Sequence, residues 1–277
     1  MTPIVFDAQA LRAWTDFSGD RNPVHFDPAA ARQLLGTETV VAHGMLAMLP
    51  LKNAIAQAIP VKPSARHPAD HWHWQALLRR PVLCDTAYTV HTSHRPADDM
   101  VTASLDSLAE GVRHITSRVV PATTAPLGRG HRPRFPLEAE RVATQHQQFH
   151  SAFPGYAKRW IFYDALLFAR YLEHHLLDLL AAMHIPIRQP REAMAGEIAL
   201  LQIGHAVTAS GTMLRAPDAA PAETLHYSLA QPCITGTGDT RYATIQTTLH
   251  DSRRPLLAQE ITLMIQTRSP APTIHPH

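Results

Sequence analysis

The sequence predicts an α+β protein built from two similar halves, and three observations carry that prediction. An apolar helical segment is followed by several strand-like segments with period-two alternation, the pattern of a helix laid on an antiparallel meander. The same order returns later in the chain. Between the two, Pro121 to Pro136 reads PATTAPLGRGHRPRFP, rich in Pro, Gly and Arg and without apolar periodicity, which is linker composition. The division expected is residues 1–121, a linker over 122–136, and a second domain over 137–277.

The first half opens on a short apolar stretch, Pro3 to Phe6. Asp7 can cap a helix over Ala8 to Phe17, with Leu11 and Trp14 spaced for one buried face. A polar loop runs from Ser18 to Asp27, and Pro28 suits the first position of a short helix reaching Leu35. Gly44 to Ile59 places Met45, Met48, Leu49, Ala56 and Ile59 at helical spacing, with Pro50 expected to kink the helix or shift its start. Beyond Pro68, Trp72–Trp74, Leu83–Thr92, Met100–Leu108 and Val112–Val120 read as successive antiparallel strands. Turns are expected at Pro96–Asp99 and Glu110–Gly111. The second half predicts one long apolar helix from about Asp164 to Met183, then strands. Alternation is cleanest in Ala243–Leu249 and in Ile261, Leu263 and Ile265. A sheet wrapped round a central helix, twice over, is a double hot-dog arrangement.

Composition excludes several function classes. The formal charge of +2 is near neutral and the basic residues are scattered, so no nucleic-acid footprint is present. Two cysteines, Cys84 and Cys233, make no disulfide framework, and no signal-like or long apolar run stands out. A reduced, cytoplasmic protein off the membrane is expected. The 19 histidines are spread along the chain, so their number does not argue for metal. His71 and His73 alternate with Trp72 and Trp74 without a carboxylate or thiol at ligand spacing, which fits a strand with one apolar face. His174 and His175 are adjacent on a helix and so face different ways, and His275 and His277 lie in a Pro-rich tail.

The segment that carries chemistry is Ser18–Pro28, SGDRNPVHFDP, followed by VAHGML over Val41–Leu46. It is a glycine-bearing loop with a carboxylate, Asp20, and an imidazole, His25, five residues apart. Asn22 precedes Pro23, which pushes its backbone out of the helical region and stiffens the loop between the two groups. A stiff loop presenting two titratable side chains suits proton transfer to a positioned substrate. His43–Gly44 precedes an apolar helix, and glycine there allows close approach to first-turn amides aimed at an anion.

These runs closely resemble the signature of MaoC-like (R)-specific enoyl-CoA hydratases and the related 3-hydroxyacyl-thioester dehydratases. LRRPVLCDT, Leu78–Thr86, resembles a strand of the same family, and the similarity covers roughly Phe6 to Val120. The resemblance implies a hot-dog domain that interconverts trans-2-enoyl and 3-hydroxyacyl thioesters of coenzyme A or acyl carrier protein. It further implies Asp20 and His25 as the acid/base pair and the Gly44 amide as oxyanion donor. Asn22, His43 and Met45 fall at substrate-binding positions, Asn22 as a support of the loop. No metal or redox cofactor is implied.

One departure stands eight residues after the glycine of the HGM run, where the family often has a small hydroxyl residue and this chain has Lys52. Lys52 either lies beside Asp20 and lowers its pKa, or points to solvent because Pro50 shifts the helix register.

In the second half, Phe162–Glu173, containing FARYLE, weakly resembles the helix start of hot-dog acyl-thioesterases. In an ungapped alignment Asp164 and Ile161 occupy that family's Gly and Asp positions, so Asp164 serves only if the loop is shortened. The expected role of this half is to complete a dimer-like pair and wall an acyl tunnel, without hydratase residues of its own. The rival readings are a bifunctional dehydratase-thioesterase and a non-catalytic acyl-binding scaffold. Either a monomer resembling a dimer or a homodimer fits such a chain.

Overall fold

The computed structural model describes residues 3–60, 70–122, 133–156, 158–185, 198–217, 219, 224–252 and 254–267. In the first half a two-residue strand β1 (Ile4–Val5) leads into helix α1 (Ala8–Ser18), capped by Asp7 Oδ1 accepting from the Ala10 amide at 2.8 Å. Helix α2 (Pro28–Leu35) starts on Asp27 and stops at Gly36, whose φ of 67° closes the C-terminus. Helix α3 (Gly44–Ala58) is the central helix. Pro50 stays inside it without ending it, and the helix is buried nearly all round against the following strands. Those strands are β2 (His71–Leu78), β3 (Ala87–Arg95), β4 (Met100–Ser107) and β5 (Arg113–Ala122).

The second half begins with β6 (Arg134–Leu137) and α4 (Ala139–Ala152), then the central helix α5 (Arg159–His174) and α6 (Leu176–Ala182). Strands β7 (Ile198–Ser210), β8 (Leu225–Leu229), β9 (Cys233–Thr237), β10 (Thr240–His250) and β11 (Pro255–Thr267) follow, with a five-residue helix α7 (Gly211–Arg215) after β7. The strands form one sheet in the order β1-β3-β4-β5-β2-β7-β11-β10-β8-β6, with β9 added on β10. Setting β9 aside, the two halves have the same strand order, first-third-fourth-fifth-second, so the chain is a double hot-dog. The two predicted sheets join at the antiparallel pair β2–β7, from His71↔Ser210 to Leu77↔Gly204.

Alternation explains the join. Trp72 and Trp74 are buried on the helix side of β2 while His71 and His73 are half-exposed on the other, and His73 Nδ1 meets Thr208 Oγ1 at 2.9 Å across the seam. A second weld is aromatic. Trp14 and Phe17 of α1 pack on Phe149, Phe153, Phe162 and Phe168 of the other half, with centroids 5.2–6.5 Å apart. Burying one such side chain contributes about 1.5–3 kcal/mol.

Several expectations change. The strand expected from Leu83 begins only at Ala87, because Asp85 takes φ 56° in a turn and the Leu83 amide is held by the Tyr88 hydroxyl at 2.8 Å. The single helix expected over Asp164–Met183 breaks at His175, whose ring bonds the Tyr227 hydroxyl at 2.8 Å. Arg134–Pro136, assigned to the linker, pair with β8; residues 123–132 lie outside the described residues, as do His275 and His277. Cys84 and Cys233 are free, and among the described residues no helix is long and apolar enough to cross a membrane.

Candidate active site

The loop between α1 and α2 is built by its own side chains. Gly19 ends α1 at φ 76°, a left-handed conformation that glycine adopts without penalty. Asp20 Oδ1 accepts from the Asn22 amide at 3.2 Å, and Asn22 Oδ1 in turn caps a 3-10 turn over Pro23–His25 through the Val24 amide at 3.4 Å. Asn22 Nδ2 donates to the Leu200 carbonyl at 2.7 Å, so the loop is also tied to β7 of the second half. The sequence motif thus folds into a turn that delivers Asp20 and His25 to one place.

His25 is buried, and its Nδ1 lies 2.8 Å from the Val41 carbonyl. A carbonyl only accepts, so Nδ1 carries the proton and the neutral ring presents a lone pair at Nε2. That nitrogen stands 4.0 Å from Asp20 Oδ2. Burial lowers the His25 pKa from its ordinary value, opposed by the Asp20 charge and the Val41 carbonyl. His43 stacks on His25 with centroids 3.7 Å apart and planes at 28°, and its Nε2 lies 3.2 Å from the Asp20 carbonyl and 3.3 Å from Thr15 Oγ1. Burial, with the neighbouring His25, holds His43 well below the usual histidine range. Ligand atoms of Asp20, His25 and His43 all lie within 4.8 Å of one another. The two rings are stacked, however, so their in-plane lone pairs run side by side and do not converge on one point as metal ligation requires.

Asp20, His25 and Gly44 line one cavity of about 280 Å³. Gly44 opens α3, where the first-turn amides have no intrahelical acceptor. A Cβ there would lie 2.7 Å from Gln202 Oε1 and 2.8 Å from Leu78 Cδ2, so glycine lets these two side chains close on the start of α3. The remaining wall is mostly apolar and comes from both halves: Val24, Val41 and Ala47 from the first, Phe168, Leu172 and Leu263 from the second. Exposed Arg79 and Arg80 also line it. Asn22, His43 and Met45, expected to bind substrate, are buried behind this wall and touch protein: Asn22 holds Leu200, His43 supports His25, and Met45 Sδ meets Gln202 Nε2 at 3.4 Å.

Lys52 meets neither expectation. It is completely buried, so it does not point to solvent, and its Nζ pairs with Asp164 Oδ2 of α5 instead of Asp20. Asp164 Oδ1 also takes His205 Nε2 at 2.9 Å and Gln259 Nε2 at 2.8 Å, and Gln259 Oε1 accepts from Thr247 Oγ1 at 3.0 Å. Burial pushes the Asp164 pKa up, but His205 and Lys52 outweigh it and hold the carboxyl ionised. Burial pulls Lys52 and His205 the opposite way, toward their neutral forms. The protons fall where the partners can use them. Among the described residues the buried His205 Nδ1 has no hydrogen-bond partner, so the nitrogen that carries a proton is Nε2, which donates to Asp164. Sequence reasoning found Lys52 and Asp164 separately but not their contact, which links positions 112 apart. It also passed over Gln202, which no local motif marks, and gave Phe168, the start of the FARYLE run, no place in this cavity.

Comparison with known proteins finds similarities to part or most of the chain. A 109-residue stretch is 30% identical to 3-hydroxyacyl-thioester dehydratase X of Mycobacterium tuberculosis, spanning 39% of this chain and 35% of that protein, about a third of its length. Among solved structures, a conserved hypothetical protein from Mycobacterium tuberculosis with a double hot-dog fold superposes with TM-score 0.46 at 13% identity, over 95% of this chain and 94% of that one. The (R)-hydratase from A. caviae involved in PHA biosynthesis gives TM-score 0.33 at 23% identity, over 43% of this chain and 90% of that one. Residues 2–101, which hold the whole Asp20–Gly44 site, match the model of the MaoC like domain.

Proposed function

We propose that this protein reversibly adds water to trans-2-enoyl thioesters, giving (R)-3-hydroxyacyl thioesters, without a metal or redox cofactor. The observation that carries the proposal is the arrangement of Asp20 Oδ2 and His25 Nε2, 4.0 Å apart on the wall of a largely apolar cavity that Gly44, at the start of α3, also lines. That gap is too long for a direct hydrogen bond and suits one oxygen held between the two groups. In the hydration direction the oxygen is water. It gives a proton to the pair, with the His25 Nε2 lone pair as acceptor, and attacks carbon 3. Electron density moves onto the thioester oxygen, where the Gly44 amide stabilises it, a role worth about 3 kcal/mol for one such donor. The pair then returns the proton to carbon 2. Water's two parts end on adjacent carbons and no redox change occurs. Dehydration runs the same steps backward.

The acyl group is carried on coenzyme A or an acyl carrier protein, with exposed Arg79 and Arg80 supplying cations for the phosphates of its arm. The thioesterase alternative gains no support, since Asp164 is sealed among Lys52, His205 and Gln259 and does not line the cavity. The test is water addition to crotonyl-CoA and to a longer trans-2-enoyl-CoA, followed by loss of enoyl-thioester absorbance. Asp20→Asn and His25→Ala should each lower kcat roughly 10²–10⁴-fold. Absence of wild-type turnover on both coenzyme A and carrier-protein thioesters would leave the non-catalytic acyl-binding scaffold as the function.

A further inference from the structure

Strand β7 leaves its partners at the candidate site. Its pairing with β2 ends at Leu77↔Gly204, and its register with β11 shifts between Gly204↔Thr262 and Gln202↔Leu263, so Ile203 has no partner on β11. An extra residue of this kind is a β-bulge, which re-aims the neighbouring side chains. The extra residue falls where β7 borders the cavity, which Leu200, Leu201, Gln202 and Ile203 all line. Gln202 is half-buried, and its carboxamide lies against the start of α3, with Oε1 2.7 Å from where a Gly44 side chain would begin. Among the described residues its hydrogen-bonding contact is Nε2 to Met45 Sδ at 3.4 Å. A thioether is a weak acceptor, so that donor is readily given up to a better one.

We propose that Gln202, supplied by the second half, is a substrate-binding residue of this site whose carboxamide, turned so that Nε2 leaves Met45 and faces the start of α3, donates to the thioester carbonyl beside the Gly44 amide. The inference rests on the hydratase reading above for the identity of the carbonyl. A cavity wall that is otherwise apolar makes such a donor strong, and a donor that meets the developing oxyanion favours the transition state over the ground state. The second half thereby contributes chemistry as well as a wall, and the site is incomplete without it.

The experiment compares the full-length wild type with Gln202→Ala and the isosteric Gln202→Glu on crotonyl-CoA, after circular dichroism has checked folding. Expected is a roughly 10²–10³-fold loss of kcat in Gln202→Ala with KM within about threefold, and a loss at least as large in Gln202→Glu, which sets a carboxylate against the oxyanion. Should the alanine variant fail to fold, the glutamate variant decides alone. A kcat within about threefold of wild type, or a rise in KM alone, overturns the proposal. Infrared spectra of bound, carbonyl-labelled crotonyl-CoA provide an arm independent of turnover. The carbonyl band should move to higher frequency in Gln202→Ala, and an identical band in both proteins overturns the proposal. Wild-type inactivity would sink the hydratase reading, and the infrared comparison would still decide Gln202.

Discussion

At the scale of single residues, the proposed mechanism depends on a histidine kept neutral. The Val41 carbonyl fixes the proton on Nδ1 and burial lowers the pKa below the ordinary 6.5, so the base at Nε2 persists into mildly acidic solution. Asp20 acts in the opposite sense by stabilising the imidazolium. In an NMR titration the His25 ring should therefore titrate below pH 6.5 in the wild type and lower still in Asp20→Asn. An unchanged or higher midpoint in that variant would contradict the electrostatic coupling. That Asp20 and His25 come together was legible in the sequence because the loop that positions them is local: Gly19, Asn22 and Pro23 set its geometry within a few residues. Gln202 was not, since its place beside Gly44 comes from a bulge on a strand 158 positions further along.

At the scale of elements, the two central helices α3 and α5 are joined by a buried ion pair that neither helix announces. Removing one charge strands the other in a low-dielectric core, while removing both leaves polar neighbours but no naked ion. Lys52→Met should lower unfolding free energy in urea by about 3–5 kcal/mol, and the double variant Lys52→Met, Asp164→Leu should recover at least about 1 kcal/mol of that. Additive losses would mean that the pair is not coupled. Helix periodicity made α3 visible, but not that the helix would keep its start at Gly44 and run on past the buried Pro50. It could not show the break after His174, because that break depends on Tyr227 from a distant strand. Nor could alternation alone place the start of β3, where the turn at Asp85 interrupts an otherwise apolar run.

At the scale of the whole molecule, the sheet, the aromatic cluster and the Lys52–Asp164 pair all cross between the halves. Two halves welded this way should unfold together, so far-UV circular dichroism and tryptophan fluorescence should give coincident urea transitions. Separate midpoints would show that each half holds its own stability. The seam also decides what happens at the rim of the sheet. Because β2 and β7 satisfy each other's backbone groups, the ladder's outer ends are β1, only two residues long, and β6, four residues interrupted by Pro136. A neighbouring chain seeking a strand to pair with meets a stub at one end and a missing amide at the other. Such ends are poor templates for self-assembly, so among the described residues the room for another strand lies along β9 and along β3 past Tyr88, which β1 does not cover.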